Sequence, residues 1–211
     1  MTISLINTGK RFNRDWIFRH INFQFLPGNI YAIIGPNGSG KSTLLQVIAG
    51  ALSPSEGQLA YQKNNNPRDK SASVAPEDVY LQIAFAAPYL ELIEEMTLRE
   101  FLLFHEKFKP FKTTVSIQDI IRTIGLEDAV NKQIRYFSSG MKQRVKLAQS
   151  FFSDTPVLLL DEPCTNLDKE GVSLYRQLIV DYGKGRLVII SSNDPVEYDF
   201  CDEQILISDY K

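Results

Sequence analysis

Short apolar runs and helically spaced apolar residues alternate along the chain. Residues 2–6 and 21–25 have apolar side chains at alternating positions, which predicts two strands, and the polar stretch 10–15 between them predicts a turn. Further apolar runs predict strands at residues 30–34, 79–86, 157–160, 187–190 and 204–207. The run Val157–Leu160 contains no polar residue, as expected for a strand of a parallel sheet that is covered on both faces.

The middle of the chain has the spacing of helices. Thr97 followed by Glu100 fits a capping box, which predicts a helix that begins at Thr97. Ser116 is a second predicted cap, and the isoleucines after it share one helical face until Gly125 ends the helix. Other helices are predicted from 44 to about 50, from 138–140 to about 152 and over 172–182, and the polar stretch 62–77 is predicted to be a surface excursion. Strands at both ends around a helical middle predict an α/β core with a helical insert.

Composition and charge narrow the class of protein without identifying it. The 211 residues suffice for one well-cored domain with insertions, and the formal net charge of −2 gives no support to a nucleic-acid partner. Cys164 and Cys201 have no paired spacing that would suggest a disulfide framework. The first ten residues lack the apolar core of a signal peptide, and no apolar run approaches the ~20 residues that span a bilayer. We therefore expect a cytoplasmic chain that reaches membranes through a partner.

Residues 35–43 carry the pattern of a phosphate-binding loop, in which two glycines bracket four residues and precede Lys-Ser. The segment is Gly35-Pro36-Asn37-Gly38-Ser39-Gly40-Lys41-Ser42-Thr43. An apolar strand precedes it and a helical pattern follows, which is the context that such a loop requires. Its backbone N–H groups are then expected to form a concave anion site at the helix N-terminus. A glycine-rich turn that fits the pattern by chance is the alternative interpretation.

Five side chains receive chemical roles from this pattern and from the acidic pair after the strand 157–160. Lys41 is predicted to reach the β and γ phosphates of a nucleotide, and Thr43 to lie close to the α phosphate. Ser42 and Asp161 are predicted to hold Mg²⁺, because the carboxyl ends of parallel strands are where ligands bind. Glu162 is predicted to polarise the water that attacks the γ phosphate. Two acids that merely cap a strand are the alternative.

On these motifs the sequence resembles the ATP-binding domain of ABC-type ATPases over nearly all of its length. The phosphate loop and Asp161-Glu162-Pro163 match the two nucleotide motifs of that family. Residues 137–144, Phe-Ser-Ser-Gly-Met-Lys-Gln-Arg, occupy the place of the family's signature sequence. Residues 165–168, Thr-Asn-Leu-Asp, match the loop with the family's conserved aspartate, here Asp168. Phe12 stands where an aromatic residue stacks on adenine.

The resemblance implies a fold, a domain organisation and ligands. The implied fold class is α/β, a P-loop NTPase with a RecA-like, mostly parallel sheet core, an N-terminal antiparallel β portion and a helical insert subdomain. Residues 1–211 are expected to form a single ABC ATPase domain. Within it, residues 1–88 and 153–211 are expected to be the α/β nucleotide-binding core, and residues 89–152 the helical insert with the signature. The implied ligands are ATP and Mg²⁺.

The signature residues Ser138, Ser139 and Gly140 open a predicted helix, so their N–H groups would form a second anion site. In the family this site covers the ATP that the other subunit of a two-fold dimer holds. The resemblance therefore implies that ATP joins this chain to a second copy or to a related ATPase subunit. Loss of the γ phosphate on hydrolysis would let the two subunits separate.

The sequence departs from the family pattern at three places. Ala86-Ala87-Pro88 fills the stretch where the family has a Gln that binds Mg²⁺ and the attacking water. Asn193 replaces the His that contacts the γ phosphate, and its neutral amide donates a weaker hydrogen bond than a protonated His. Ser139 and Met141 stand where Gly and Gln are commoner, a mild change. Because one lost contact to developing charge costs ~10² to 10³ in rate, we expect slow ATP hydrolysis that depends on Glu162.

Membrane transport is the commonest use of this ATPase family. Residues 89–96, an apolar and acidic stretch, stand where the family docks a transmembrane permease subunit, although ordinary core of the insert is an equal alternative. The short chain resembles small exporter-type subunits, including those linked to haem export for cytochrome c maturation. We therefore expect an ATPase on the cytoplasmic face of the membrane that energises a transporter. A soluble nucleotide-gated interaction module with little hydrolysis is the alternative, while a P-loop kinase is disfavoured because Glu162 suits attack by water.

Overall fold

The N-terminal strands pair as an antiparallel sheet in the structure, a computed structural model that describes residues 1–63 and 72–211. The strands are β1 (Thr2–Phe12), β2 (Asp15–Phe25) and β4 (Glu56–Gln62), in the order β2-β1-β4. Ile3 of β1 pairs with Phe25 on one side and Tyr61 on the other, and all three side chains are buried. The predicted antiparallel β portion is therefore confirmed.

A second, mostly parallel sheet carries the apolar runs. Its strands follow the order β5-β6-β7-β3-β8, and the pairs β6–β7, β7–β3 and β3–β8 are parallel. They are β3 (Ile30–Ile34), β5 (Ile83–Ala86), β6 (Val157–Asp161), β7 (Leu187–Ser192) and β8 (Glu203–Leu206). Every residue of β6 and β7 is buried, as expected for strands covered on both faces. This arrangement confirms the predicted α/β class with a parallel core.

The helix that follows the glycine loop, α1 (Lys41–Ile48), packs on one face of the parallel sheet. Alternate residues of a strand point to opposite faces, and the odd-numbered residues of β6 and β7 share one core cluster with α1. The members of that cluster from these three elements are Leu44, Leu45, Val47, Ile48, Val157, Leu159, Leu187 and Ile189. Asp161 and Ser191, which end the same odd-numbered series, therefore lie on the face that α1 covers.

The described residues divide into two compact units. Residues 1–85, 155–161 and 185–211 form the first unit apart from the undescribed 64–71, and residues 86–154 and 162–184 form the second. The domain boundaries predicted from the sequence stay a prediction. The remaining helices are α2 (Val79–Gln82), α3 (Leu98–Phe108), α4 (Ile117–Thr123), α5 (Ser139–Phe151) and α6 (Lys169–Leu178). Among the described residues, no helix combines the length and apolar character needed to cross a bilayer.

A predicted turn and a predicted strand are wrong in extent. The turn predicted over residues 10–15 is shorter, because β1 and β2 stay paired up to Phe12 and Asp15. Asn13 takes the left-handed conformation, with φ of 53°, and the chain reverses at once. The strand predicted over 79–86 is a strand only from Ile83, since a 3₁₀ turn that begins at Pro76 leads into α2. A short apolar run fits a buried helix turn as well as a strand.

The fifth predicted helix, over 172–182, has different ends. It begins at Lys169 because Asp168 caps it, accepting a hydrogen bond from Gly171 N at 2.8 Å. Regular α geometry stops at Leu178, and a π-helical turn continues over 179–183. Of the predicted polar excursion 62–77, residues 64–71 lie outside the described residues, while Gln62 and Ser73 on its flanks form an antiparallel bridge.

Replacing Thr97 with Ala is expected to lower the free energy of unfolding by about 1 kcal/mol. Thr97 Oγ1 accepts a hydrogen bond from Glu100 N at 3.3 Å, and the Glu100 carboxylate accepts one from Thr97 N at 2.8 Å. The predicted capping box of α3 is therefore present, and alanine removes half of it. Urea unfolding followed by circular dichroism measures the change, with Thr114→Ala at an exposed loop position as the control. Equal losses in both variants would contradict the prediction.

Candidate functional site

The glycine loop between β3 and α1 has the tight backbone that the predicted anion site requires. Gly38 and Gly40 have φ of 75° and 105°, values that glycine adopts readily. A Cβ at Gly40 would overlap the Ile17 Cγ2 methyl of β2, so a larger residue does not fit there. Within the loop, Ser39 N donates a hydrogen bond to Pro36 O at 3.2 Å. Successive N–H groups in such a turn can form a concave anion-binding nest.

Lys41, the first residue of α1, is held against this loop. Its side chain is only 5% exposed, and its ammonium donates hydrogen bonds to Gly35 O at 2.9 Å and Pro36 O at 3.1 Å. The loop is also tied to the segment after β7, because Asn193 Nδ2 donates to Asn37 Oδ1 at 3.0 Å. The ammonium and the Asn193 amide therefore both contact the loop that is predicted to bind phosphates.

Asp161 ends β6 as a buried carboxylate at the edge of the sheet where β3 leads into the loop. It pairs with Ser191 of β7, which in turn pairs with Ile33 of β3. Asp161 is 1% exposed, and neither carboxylate oxygen has a hydrogen-bond partner among the described residues. An unpaired buried carboxylate is costly unless a cation or donor compensates it. Carboxylate and hydroxyl oxygens are ligands that suit Mg²⁺, so Asp161 and Ser42 fit the predicted metal.

Glu162 follows Asp161 with an unusual backbone. Its φ is 42°, in the left-handed region that non-glycine residues seldom adopt, and its side chain is half-buried. The turn closes where Thr165 N donates to Glu162 O at 3.1 Å. Such backbone outliers cluster at functional sites, where the surrounding structure must compensate their cost. The backbone outlier therefore lies at the residue that is predicted to activate the attacking water.

The signature residues open α5, as predicted. Ser138 is the N-cap, and its Oγ accepts a hydrogen bond from Met141 N at 3.2 Å. Ser138, Ser139, Gly140 and Asp168 all line one pocket of about 510 Å³ within the second unit. A Cβ at Gly140 would lie 3.0 Å from Asn166 O, so the loop 165–168 packs closely on the helix start. The N-terminal N–H groups of a helix are a suitable anion site.

Arg144, which received no role from the sequence, lines the same pocket. Its guanidinium donates to Asp168 Oδ1 at 3.4 Å and to Ile124 O at 3.3 Å, so it links α5 to the loop before α6 and to the end of α4. The hydrogen bond from Gly171 N and the charge of Arg144 lower the pKa of Asp168. Its place at the end of the signature residues 137–144 is the sequence feature that could have indicated a role. Ser191, which follows the aliphatic run 187–190 and precedes Ser192, also received no role from the sequence.

Phe12 lies at the end of β1, in the first unit with the phosphate loop. It is 47% exposed, so its ring is not packed in the core. Lys10 Nζ lies 5.3 Å from the ring centroid, a distance that permits a cation–π contact. The paired strand β2 carries Ile17, whose methyl lies against Gly40. The hairpin therefore presents an accessible aromatic ring near the loop.

Comparison with known proteins adds family membership to this geometry. Residues 18–165 match the ABC transporter family. The chain is 31% identical over 192 residues to the uncharacterized ABC transporter ATP-binding protein YybJ of Bacillus subtilis, covering 90% of this chain and 85% of that protein. It is also 31% identical over 178 residues to the cytochrome c biogenesis ATP-binding export protein CcmA of Yersinia pseudotuberculosis, covering 84% of this chain and 79% of that protein.

A solved structure agrees with the fold. The dimeric post-hydrolysis state of the ATP-binding cassette MJ0796, bound to ADP and Pi, superposes with a TM-score of 0.80 at 23% identity, covering 97% of this chain and 94% of that chain. At this identity the likeness supports the α/β nucleotide-binding fold and nothing finer. The sequence matches, in contrast, span most of the chain and most of each relative. The chain therefore belongs to the ABC transporter family, among its ATP-binding proteins.

Proposed function

We propose that this chain is the ATP-binding and ATP-hydrolysing subunit of an ABC membrane transporter. The observation that carries the proposal is the meeting of three features at one edge of the parallel sheet. The glycine loop holds the buried Lys41, and Asn193 is hydrogen-bonded to that loop. The end of β6, separated from β3 by β7, holds the Asp161 carboxylate, which has no hydrogen-bond partner among the described residues. A buried cation beside an N–H nest suits a polyphosphate, and an unpaired carboxylate suits the metal that accompanies it.

Each predicted site residue has a role in this proposal. The N–H groups of the loop and Lys41 bind the phosphates, and Thr43 lies near the α phosphate. Ser42 and Asp161 hold Mg²⁺, which neutralises phosphate charge when it is bound. Glu162 accepts a proton from the attacking water. Asn193 donates a neutral hydrogen bond to the γ phosphate.

The active form in this proposal is a dimer. The N–H groups of Ser138, Ser139 and Gly140 bind the γ phosphate of the ATP that the partner subunit holds, and the loop with Asp168 lines the same pocket. The partner is a second copy of this chain or a related ATPase subunit. The dimeric, ADP- and Pi-bound state of the structural neighbour MJ0796 supports such an arrangement. Hydrolysis then separates the subunits and provides the mechanical output.

Turnover is slow in this proposal, because two polar contacts of the family are missing. Residues 86–88 are Ala-Ala-Pro, which offer no side-chain amide or carboxylate, and Asn193 offers a neutral amide in place of an imidazole. Each lost contact to developing charge reduces the rate by about 10² to 10³. A steady-state assay of the purified chain with Mg-ATP measures kcat, and a value near 10 s⁻¹, typical of efficient enzymes, would contradict slow turnover.

Residues 89–96 are the proposed contact with a permease at the cytoplasmic face of the membrane. Tyr89 and Ile93 are 47% and 38% exposed, so the segment presents apolar surface. Two lysines of α5 hold it in place: Lys142 Nζ lies 2.5 Å from Glu94 Oε1, and Lys146 Nζ donates to Pro88 O at 2.5 Å. An apolar patch on a rigid support suits a protein partner.

Membrane fractionation of native cells tests the transporter role. The tagged chain should pellet with membranes when its permease is present and become soluble when the permease gene is deleted. Tyr89→Ala combined with Ile93→Ala should reduce the pelleted fraction several-fold. The control, Tyr136→Ala with Val180→Ala, removes a tyrosine and an aliphatic residue that are 63% and 68% exposed.

Two outcomes of this fractionation would contradict the proposal. Wild-type chain that stays soluble in cells with every permease present would favour the soluble, nucleotide-gated interaction module. Equal losses in the test and control variants would remove residues 89–96 from the proposed contact. A pelleted fraction that depends on Tyr89 and Ile93 alone supports the transporter role.

Replacing Phe12 with Ala is expected to weaken ATP binding about tenfold. Stacking of a base on an aromatic side chain contributes about 1–3 kcal/mol, and 1.4 kcal/mol corresponds to a factor of ten. Fluorescence titration with a labelled ATP measures the change. Phe108→Ala is the control because this phenylalanine of α3 is also well exposed, at 67%. Unchanged affinity in Phe12→Ala would exclude adenine stacking on this ring.

A further inference from the structure

The last two residues of β7, Ser191 and Ser192, are buried hydroxyls with different surroundings. Both are 0% exposed. Ser192 Oγ accepts a hydrogen bond from Asp194 N at 2.9 Å, so it closes the turn after the strand. Ser191 Oγ has no hydrogen-bond partner within residues 1–63 and 72–211. Among the described residues, the hydroxyl of Ser192 therefore stabilises the fold through a hydrogen bond, and that of Ser191 does not.

Ser191 lies beside Asp161 on the same face of the sheet. The two residues are register partners in the parallel strands β6 and β7, and neighbouring strands are about 4.8 Å apart. Their face is the one that α1 covers, and α1 begins with Lys41 and Ser42. This end of the sheet thus carries a carboxylate and a hydroxyl that are both buried and that have no hydrogen-bond partner in the part of the chain that the structure describes.

An unpartnered buried hydroxyl destabilises a protein, whereas alanine at the same place would not. Ser191 therefore lowers the stability of the fold, and its neighbour is the Asp161 carboxylate, which can only accept hydrogen bonds and receives none from the described residues. Mg²⁺ usually keeps several bound waters, and those waters need hydrogen-bond acceptors around the ion. A carboxylate with an adjacent hydroxyl offers such acceptors, so a hydroxyl at position 191 suits a hydrated cation.

We propose that Ser191 is a positioning residue for hydrated Mg²⁺ in the nucleotide site. With Mg²⁺ bound, Ser191 Oγ would accept a hydrogen bond from a water molecule of the ion, beside the Asp161 carboxylate. The inference rests on the proposed binding of Mg-ATP. Residues that orient a metal ligand commonly change metal affinity by about 10- to 100-fold when they are removed.

The test compares Ser191→Ala with Ser192→Ala and with Asp161→Asn. Mn²⁺ replaces Mg²⁺ as the probe, and electron paramagnetic resonance measures the free ion during titration of the ATP-loaded protein. ATP affinity is measured separately in EDTA, and the thermal midpoint is measured without ligand. Ser191→Ala should weaken Mn²⁺ binding about tenfold, leave ATP affinity in EDTA unchanged and keep or raise the thermal midpoint.

Ser192→Ala is the control and Asp161→Asn is the reference, and together they distinguish a metal-positioning role of Ser191 from a structural role. Ser192→Ala should lower the thermal midpoint, because it removes the acceptor for Asp194 N, and should leave Mn²⁺ affinity unchanged. Asp161→Asn should weaken Mn²⁺ binding at least as much as Ser191→Ala does. The inference is supported if Ser191→Ala binds Mn²⁺ more weakly without losing stability, while Ser192→Ala loses stability but binds Mn²⁺ as wild type does.

Several results would overturn it. Mn²⁺ affinity of Ser191→Ala equal to that of wild type would remove Ser191 from the metal site. Equal weakening in both serine variants, or a lower thermal midpoint in Ser191→Ala, would indicate a structural role. Wild-type protein that binds ATP in EDTA yet shows no ATP-dependent Mn²⁺ binding would overturn the inference and leave ATP binding intact. Wild-type protein that binds no ATP at all would contradict the proposed function itself.

Discussion

Replacing Glu162 with Gln is expected to reduce steady-state ATP hydrolysis by about 10² to 10⁴. The amide has nearly the size of the carboxylate but cannot accept a proton from the attacking water. The left-handed backbone at this position, with φ of 42°, remains the same for either side chain. Release of phosphate from Mg-ATP at saturating concentration measures the effect on kcat. Glu170→Gln, an exposed glutamate in the first turn of α6, is the matched control.

The same variant tests the proposed dimer. Because ATP stays intact in Glu162→Gln, the two subunits should remain joined, and light scattering after gel filtration with Mg-ATP should show twice the mass of one chain. Equal hydrolysis rates in wild type and Glu162→Gln would exclude the catalytic role. An arrested variant that remains a monomer with Mg-ATP, and binds no related subunit, would contradict the ATP-bridged dimer.

Replacing Lys41 with Ala is expected to weaken ATP binding by about 10² to 10⁴. The ammonium is buried and already oriented by Gly35 O and Pro36 O, so little side-chain entropy is lost when it turns to a phosphate. Each hydrogen bond to a charged group contributes about 1.5–3 kcal/mol, and two such bonds to phosphates would be lost. Isothermal titration calorimetry with Mg-ATP measures the affinity.

Lys184→Ala is the matched control for this experiment, because Lys184 is exposed and loses the same charge. Circular dichroism and thermal unfolding check that Lys41→Ala keeps the fold after losing its two carbonyl contacts. If the folded variant binds ATP as tightly as wild type does, the loop is a structural turn rather than a phosphate site. Weak binding in both variants would point to general electrostatics instead of a specific contact.

Features that depend on contiguous residues were predictable. The glycine loop, the capping box at Thr97, the cap at Ser116, and the buried strand after residue 156 all follow from local patterns, and the structure contains each of them. Local hydrogen bonds and alternating burial act within a few residues, so they leave a readable pattern. The resemblance to ABC-type ATPases used the same contiguous segments, and the family match confirmed it.

The errors arose where neighbouring strands override local composition. The charged stretch 10–15 looked like a turn, but antiparallel pairing extends β1 to Phe12 because exposed strands tolerate polar side chains. The apolar stretch 79–86 looked like one strand, but only its second half finds a place in the sheet. Strand propensity depends strongly on such context.

The chain alone determined the order of its motifs, the phosphate loop and its helix, and the α/β class, since these follow from local sequence and short-range geometry. Tertiary structure decided which distant residues meet. It pairs Asn193 with Asn37 across 156 residues, sets Ser191 beside Asp161 and joins Arg144 to Asp168. Sheet register and helix packing determine these contacts, and neither is encoded in the spacing of any single segment. That is why an unremarkable serine at the end of an apolar run acquired a candidate role only once its neighbouring strand was known.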